Sequence, residues 1–155
     1  MIKTNAIRLL EKAHIPFSVV TYEVDENDLS ATHTATVLNE DIQKVFKTLV
    51  LRGDKNGIFV CIIPGDLEVD LKKAAKASGN KSAQMIQMKE LLPLTGYIRG
   101  GCSPVGMKKN YPMFIHNSCL NHEKIYLSAG QRGVQMYVST NDIVSYANLT
   151  IADLC

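Results

Sequence analysis

The sequence lacks several features that would place the protein outside the ordinary globular class. None of its four cysteines forms a Cys-x-x-Cys pair, so a disulfide framework or a zinc site is not expected. The segment from Met1 to Ala6 has no apolar signal region, and no apolar run in the sequence approaches the length that spans a membrane. The absence of both features favours a cytoplasmic location.

Familiar arrangements of catalytic and metal-binding residues are absent as well. No Ser-His-Asp or Cys-His arrangement is evident, and His14, His116 and His122 do not have the spacing of metal ligands. There is no internal repeat, low-complexity tract or linker-like segment. With 46% hydrophobic and 21% charged residues in a chain of 155, the sequence predicts one globular domain over residues 1–155, with no metal and no cofactor.

The net charge of +2 hides an uneven distribution along the chain. Residues 1–70 carry 7 basic against 11 acidic residues, whereas residues 71–122 carry 8 against 1. We call the eight cations of residues 71–122 the basic section; its members are Lys72, Lys73, Lys76, Lys81, Lys89, Arg99, Lys108 and Lys109. Such an imbalance suits contact with phosphate or a nucleic-acid backbone, although lysine-rich helices are also common as plain solvated surfaces.

Hydrophobic periodicity and turn residues predict an α+β fold. Helices are expected at 4–13, from Ser30 to about Leu38, at 71–77, at 88–92 with closure by Pro93 and Gly96, and from Thr140 to about Ala147. Strands are expected at 17–22, 45–52, 58–64, 113–116, 124–128 and 134–138. Strands and helices do not alternate regularly, which argues against a doubly wound sheet.

Lys47 stands out because it interrupts the apolar strand that contains Phe46 and Leu49–Leu51. An ammonium group is costly to bury unless it has a partner. The alternative is a lysine at the entrance of a strand, with its stem packed and its head in water.

Two glycine-rich segments are candidates for contact with a ligand. Gly100–Pro104 joins paired glycines to Cys102, Ser103 and a rigid proline, so that successive backbone N–H groups could face an oxyanion or phosphate. Ser128–Gly133 places a hydroxyl, two glycines and an arginine in a predicted loop between two strands. Both segments are also compatible with plain turns.

Five motifs then occur in a recognisable order: Val45–Leu49, Asp70–Lys73, Thr95–Tyr97, Gly100–Gly106 and Ser128–Gly133. Together they resemble the YbaK/EbsC family of aminoacyl-tRNA deacylases, and within it the Cys-tRNA(Pro) deacylase branch. The resemblance runs from Ala6 to about Ala147. The family is similar to the editing insertion domain of bacterial prolyl-tRNA synthetases.

This resemblance implies an α+β fold around a mixed, barrel-like sheet, with a pocket at one mouth. The implied reaction is hydrolysis of the ester between a misattached amino acid and the 3′-terminal adenosine of tRNA. The implied partners are the acceptor end of mischarged tRNA(Pro), contacted by the basic section, and prolyl-tRNA synthetase. In this branch the thiol of the substrate cysteine is thought to attack its own carbonyl.

The resemblance also implies roles for particular residues. Lys47 would anchor the terminal phosphate or the substrate carbonyl, Tyr22 would contact the adenosine, and Gly100, Gly101 and Ser128 would complete the catalytic set. Substrate contacts are implied for Thr48, Cys102, Ser103, Pro104, Gly130, Arg132, Gly133 and Gln135. A nucleophilic role for Cys102 is not implied, because family members often carry an aliphatic residue at that position.

Two departures from the family pattern leave the substrate open. Gln135 lies where the family often has Asp or Glu, and Ala129 replaces a glycine. The alternatives are a deacylase for another small amino acid such as alanine, a non-catalytic module that binds tRNA or a synthetase, and a generic phosphate-binding protein.

Overall fold

The computed structural model describes residues 3–155, which form five α-helices and eight β-strands. The helices are α1 (Asn5–Lys12), α2 (Ala31–Leu38), α3 (Leu71–Ala77), α4 (Leu91–Thr95) and α5 (Thr140–Tyr146). The strands are β1 (Phe17–Thr21), β2 (Phe46–Gly53), β3 (Gly57–Pro64), β4 (Ala83–Met85), β5 (Met113–His116), β6 (Lys124–Gln131), β7 (Val134–Ser139) and β8 (Thr150–Ala152). Residues 1 and 2, which belong to the predicted domain and to the N-terminal stretch without a signal region, lie outside the described residues. Within residues 3–155, no helix combines the length and the apolar composition needed to cross a bilayer.

The strands form two sheets. The first is antiparallel, with the order β1-β7-β6. The second is mixed, with the order β4-β2-β3-β5-β8, in which β2 pairs antiparallel with β3 and β4 while β3, β5 and β8 run parallel. The predicted α+β class is therefore confirmed.

The barrel-like sheet that the resemblance implied is not confirmed. The sheets do not close on themselves but approach each other where Val45 and Tyr126 form an isolated parallel bridge. Because this bridge directly precedes β2 and lies within β6, it brings the start of β2 alongside β6.

Side-chain alternation explains how both faces of the mixed sheet are buried. In β3, Val60 and Ile62 pack into the core between the two sheets, whereas Phe59, Cys61 and Ile63 pack against Ala74 of α3 on the opposite face. Helix α2 covers the outer face of the antiparallel sheet, where its Ala35 packs with Val45 and Tyr126. The resulting order of layers is α2, antiparallel sheet, central core, mixed sheet and α3.

Polar side chains define where several helices begin. Thr4, Ser30, Asp70 and Ser139 each accept a hydrogen bond from a backbone N–H in the first turn of α1, α2, α3 and α5, respectively. Ser30 matters for the site, because its cap fixes the start of the helix that covers the outer face of the antiparallel sheet.

Two local predictions were wrong. The helix expected at 88–92 is not closed by Pro93, because Pro93 lies in the first turn of α4, where a backbone N–H has no intrahelical partner to lose. It continues to Thr95 and ends at Gly96, the second stop that was expected. The segment Ser128–Gly133 was expected to be a loop, but β6 continues to Gln131 through a β-bulge between Ser128 and Gln131. The turn that joins β6 to β7 contains only Arg132 and Gly133.

Candidate functional site

A cavity of about 370 Å³ lies where the two sheets meet. Its walls come from β2 and α2, from the segment 85–91, from the turn that contains Arg99 and Gly100, and from β6 and β7. The lining residues include Tyr22, Thr34, Lys47, Thr48, Met85, Met88, Arg99, Gly100, Cys102, Ser128 and Gln135.

Strand pairing places three of these side chains in a row. Val45 bridges Tyr126 in parallel, and Lys47 and Ser128 each follow two residues later. Side chains two residues apart in a strand share a face, so Lys47 and Ser128 emerge beside each other. Ser128 is in turn the direct partner of Gln135 across the β6–β7 pair. The row therefore combines a cation, a hydroxyl and an amide from three strands.

Lys47 is half-buried, and its ammonium group makes no hydrogen bond or ion pair within residues 3–155. The charged residues that line the cavity within that part of the chain are Lys47 and Arg99, and no carboxylate lines it. Two cations without a compensating carboxylate give the cavity a positive potential. The cavity is therefore suited to an anionic or strongly polarised ligand group.

Two polar oxygens of the cavity wall are buried and unsatisfied. Among the described residues, the Thr48 hydroxyl and the Gln135 amide oxygen have no hydrogen-bond partner. Buried polar groups are normally paired, because an unmet hydrogen bond destabilises the fold by about 1–3 kcal/mol. Both residues line the cavity, but the two oxygens are shielded from solvent, so contact with a ligand requires their side chains to rotate toward the cavity.

The segment Gly100–Pro104 begins in a tight turn and does not present a row of free backbone N–H groups. Gly101 donates its backbone N–H to the carbonyl oxygen of Ile98 (2.9 Å), which closes a four-residue turn. Gly100, the third residue of this turn, has a φ of +83°, and a type II turn requires a positive φ at that position. The N–H of Gly101 is thus occupied and does not face a ligand as predicted. Gly100 and Cys102 line the cavity, and their N–H groups have no partner within residues 3–155.

Cys102 is a buried cavity residue with little thiolate character. Its side chain is 8% exposed, and burial raises the pKa of its thiol to about 12. A thiol with such a pKa is almost fully protonated near neutral pH, and the thiolate is the nucleophilic form. The arrangement thus gives Cys102 the character of a packing residue.

Tyr22 lies at the α2 side of the cavity. Its backbone N–H donates to the carbonyl of Gly133 (2.9 Å), and the hydroxyl of Thr34 donates to the Tyr22 hydroxyl oxygen (3.1 Å). Thr34 was not predicted as a site residue. It lies on α2, and only the contact between that helix and the end of β1 brings it to the cavity.

Not all of the predicted residues line the cavity. Those that do not line it are Gly101, Ser103, Pro104, Gly130, Arg132 and Gly133. Ser103 is fully buried, and its hydroxyl oxygen accepts the N–H of Val105. The Arg132 guanidinium donates to the carbonyl oxygen of Arg99 (2.8 Å), and Gly130 packs so closely on Tyr97 that an added Cβ would lie 2.9 Å from its ring. These residues support the wall rather than form its surface.

Sequence reasoning also missed the segment 85–91. Met85, Gln87 and Met88 line the cavity, and Glu90 holds this segment against Arg52 of β2 (2.7 Å). The signals available in the sequence were two methionines three residues apart, Met85 and Met88, and Glu90 as the single acidic residue between residues 71 and 122. Within residues 3–155, no cluster of three or more His, Cys, Asp or Glu side chains is arranged to hold a metal ion.

Comparison with known proteins identifies relatives. A sequence model of the family described as "Aminoacyl-tRNA editing domain" matches residues 25–146. A protein of Enterococcus faecalis named "Putative Cys-tRNA(Pro)/Cys-tRNA(Cys) deacylase EbsC" is 43% identical over 152 residues, which cover 98% of this chain and 93% of that protein. The proline–tRNA ligase of Thermosipho africanus is 32% identical over 136 residues, covering 88% of this chain and 22% of the ligase.

A solved structure supports the fold. The "Crystal structure of a putative trans-editing enzyme for prolyl tRNA synthetase" superposes with a TM-score of 0.82 at 21% identity, covering 99% of this chain and 98% of that chain. At this level of identity the likeness concerns the arrangement of helices and strands.

Proposed function

Because this chain belongs to the aminoacyl-tRNA editing domain family, we propose that it hydrolyses the ester between a misattached amino acid and the 3′-terminal adenosine of tRNA. The family is hydrolytic, and the predicted class of enzyme, an aminoacyl-tRNA deacylase, follows from membership. The proposal concerns which ester is cleaved and which residues act.

The observation that carries the proposal is the state of Lys47. Lys47 lines a cavity with no carboxylate in the lining, and its ammonium group has no hydrogen-bond or ion-pair partner within residues 3–155. A half-buried cation is tolerated when an anion regularly occupies the site. The 3′-terminal nucleotide supplies such an anion as its phosphate, and the ester carbonyl supplies another as its oxyanion in the transition state.

Each cavity residue would have a separate role that follows from its position. Lys47 would hold the terminal phosphate or polarise the carbonyl, while the N–H groups of Gly100 and Cys102 would donate to the developing oxyanion. Ser128 already accepts the N–H of Gly130 (3.2 Å), so its own hydroxyl hydrogen remains available for the substrate. The oxygens of Thr48 and Gln135, which have no hydrogen-bond partner, would accept from the ribose hydroxyl or the α-amino group once their side chains rotate toward the substrate. Tyr22 would contact the adenosine.

We propose Cys-tRNA(Pro) as the preferred substrate, which follows the name of the relative that is 43% identical. In the proposed step, the sulfur of the substrate thiol bonds to its own carbonyl carbon, the bond from that carbon to the ribose oxygen breaks, and the thiol proton ends on the ribose oxygen. Water then opens the cyclic thioester to cysteine. Within residues 3–155 the cavity lining contains no histidine, and burial raises the pKa of its one thiol, Cys102, to about 12, so this thiol stays protonated near neutral pH and does not compete with the substrate thiol as nucleophile.

A deacylation panel tests the proposal. Cysteine, alanine, serine and proline esters on tRNA(Pro) are incubated with the protein, and ester loss is measured against buffer. We expect rapid loss of the cysteinyl ester and little loss of the others. Equal loss of the alanyl ester would contradict the thiol mechanism and assign the protein to alanine editing. No ester loss, with tRNA still bound, would identify a non-catalytic binding module.

The partner and location follow from the substrate. We propose that the acceptor end of tRNA(Pro) enters the cavity and that prolyl-tRNA synthetase, which carries a related domain, presents it. The reaction would take place in the cytoplasm, where tRNA is charged. Repeating the panel with the synthetase present should increase the rate at low tRNA concentration, and an unchanged rate would count against the partnership.

A further inference from the structure

Four large apolar side chains are exposed in the segment 85–98, which supplies part of the cavity wall. Met85, Met88, Leu92 and Ile98 are 43%, 59%, 51% and 47% exposed, respectively, and we call these four residues the apolar rim. Met85 and Met88 also line the cavity. Exposed apolar side chains that cluster beside a site mark a contact surface for a ligand or partner.

The surroundings of the apolar rim are positive. Lys89 is exposed in the same 3-10 turn as Met88, and Arg99, which lines the cavity, directly follows Ile98. Glu90 is the single acidic residue between residues 71 and 122, and both of its carboxylate oxygens bond to the guanidinium of Arg52 (2.7 and 3.4 Å). The carboxylate is thereby neutralised, so the charges that remain beside the rim are cationic.

The apolar rim is held in place before any ligand arrives. Besides its bonds to Arg52, Glu90 accepts the backbone N–H of Gln87 (2.8 Å), and Ile86 donates its N–H to the carbonyl of Val50 (3.3 Å). These contacts attach the segment to β2, the strand that carries Lys47. A surface that is already ordered loses little conformational entropy when it binds.

We propose that the apolar rim binds the unpaired nucleotides that precede the terminal adenosine, with Lys89 and Arg99 beside their phosphates. This inference rests on the proposed function, because it assumes that the terminal adenosine occupies the cavity. An unpaired base exposes an apolar face and each nucleotide carries one anionic phosphate, so a single strand matches a surface of apolar and cationic side chains. Methionine sulfur also packs favourably against aromatic rings. A paired duplex hides its base faces and does not match this surface.

Kinetics with two substrates test the inference. The double variant Leu92→Ser/Ile98→Ser changes two rim residues that do not line the cavity, and it is compared with wild type on cysteinyl-tRNA(Pro) and on cysteinyl adenosine, which lacks the preceding nucleotides. We expect the KM for the tRNA to rise about tenfold with kcat unchanged, and no change for the adenosine ester. The matched control Leu120→Ser removes an apolar side chain that is 64% exposed and lies away from the cavity, and it should alter neither substrate. An unchanged KM for the tRNA, or an equal change for both substrates, would overturn the inference.

A binding measurement separates this inference from the proposed function. Fluorescence anisotropy follows an eight-nucleotide RNA that ends in CCA and carries no amino acid, with a blunt duplex of the same sequence as the second probe. We expect the wild type to prefer the single strand and both the double variant and Lys89→Ala to bind it more weakly, with Lys55→Ala as the control for a lost charge. Such a result would support the rim even if no ester were hydrolysed. If the esters are hydrolysed while the double variant binds the single strand as wild type does, the rim inference fails and the proposed function stands.

Discussion

Two of the concave regions within residues 3–155 differ in size and chemistry, and the larger has the simpler chemistry. A groove of about 740 Å³ runs between α1 and β1, whereas the cavity at the meeting of the sheets measures about 370 Å³. The groove is lined by Ile7, Glu11, Ile15, Pro16, Phe17, Val19 and Thr21. Its one charged lining residue within the described part of the chain, Glu11, is paired with Lys3.

The difference teaches that size alone does not identify a site. In the groove, the charge of Glu11 is paired with that of Lys3. Within residues 3–155, the cavity contains Lys47 without a partner and two buried oxygens, those of Thr48 and Gln135, without hydrogen bonds. Unmet polar groups destabilise the folded protein, and a ligand that pairs with them recovers that free energy. The cavity is therefore the region where substitution should affect chemistry.

The largest expected effect comes from Lys47→Ala. Removing a group that stabilises developing charge lowers kcat by about 100- to 1000-fold, so we expect a loss of about 100-fold or more in kcat/KM on cysteinyl-tRNA(Pro). Because the ammonium group makes no hydrogen bond or ion pair within residues 3–155, the melting temperature should change little. Ester hydrolysis and thermal melting measure the two effects.

Val19→Ser provides the contrast in the groove. Val19 is 39% exposed in the edge strand β1 and lines the groove but not the cavity. Its substitution should leave kcat/KM within about twofold of wild type, as for most exposed positions. Wild-type turnover in Lys47→Ala would contradict the assignment of the cavity as the functional site. So would a loss of activity in folded Val19→Ser that equals the loss in Lys47→Ala.

A smaller effect is expected from Glu90→Gln, which removes an ion pair beside the cavity. Glutamine can keep the cap at Gln87 but lacks the charge that binds Arg52, so we expect the KM for tRNA to rise about threefold with little change in kcat. The Arg52 guanidinium holds the pKa of Glu90 below its ordinary value of 4.5. The ion pair is therefore complete above that value and is lost as the pH falls through the lower pKa of the folded state.

The groove again supplies the matched control. Glu11→Gln converts the same type of side chain and breaks the exposed ion pair with Lys3, and it should leave the KM unchanged. Steady-state kinetics at pH 7 compare the two variants. An equal change in KM for both, or none for Glu90→Gln, would show that the segment 85–91 does not depend on its charge for position.

Elements with strong local signals were predictable from the sequence. The strands near 45–52 and 58–64 combine apolar runs with the turn at Asp54–Asn56, and Asp70 marks the start of α3. The short strands β4 and β8 were missed because three residues carry too little periodicity. Each of them forms one edge of the mixed sheet through backbone pairing, which the sequence does not reveal.

The candidate site was only partly predictable, for a related reason. The chemical types of Lys47, Ser128 and Gln135 could be chosen by resemblance, but their arrangement depends on the bridge between Val45 and Tyr126 and on the β6–β7 register. Contacts between residues about 80 positions apart are set by tertiary packing and leave no local pattern. The occupied N–H of Gly101 has a different, local cause, because its partner Ile98 lies three residues earlier and paired glycines alone do not show which N–H closes a turn.

The smallest expected effect is that of Cys102→Ala. This residue lines the cavity, so a nucleophilic thiol would make its loss as severe as that of Lys47. Burial raises the pKa of the thiol to about 12, so it stays protonated through the neutral range. We expect kcat/KM within about threefold of wild type and the same pH–rate profile between about pH 6 and 9, because no Cys102 titration falls there. Complete loss of activity in a folded variant, or a pH–rate profile that loses an ionisation, would contradict this expectation. Either result would identify the Cys102 thiol, and not the substrate thiol, as the nucleophile.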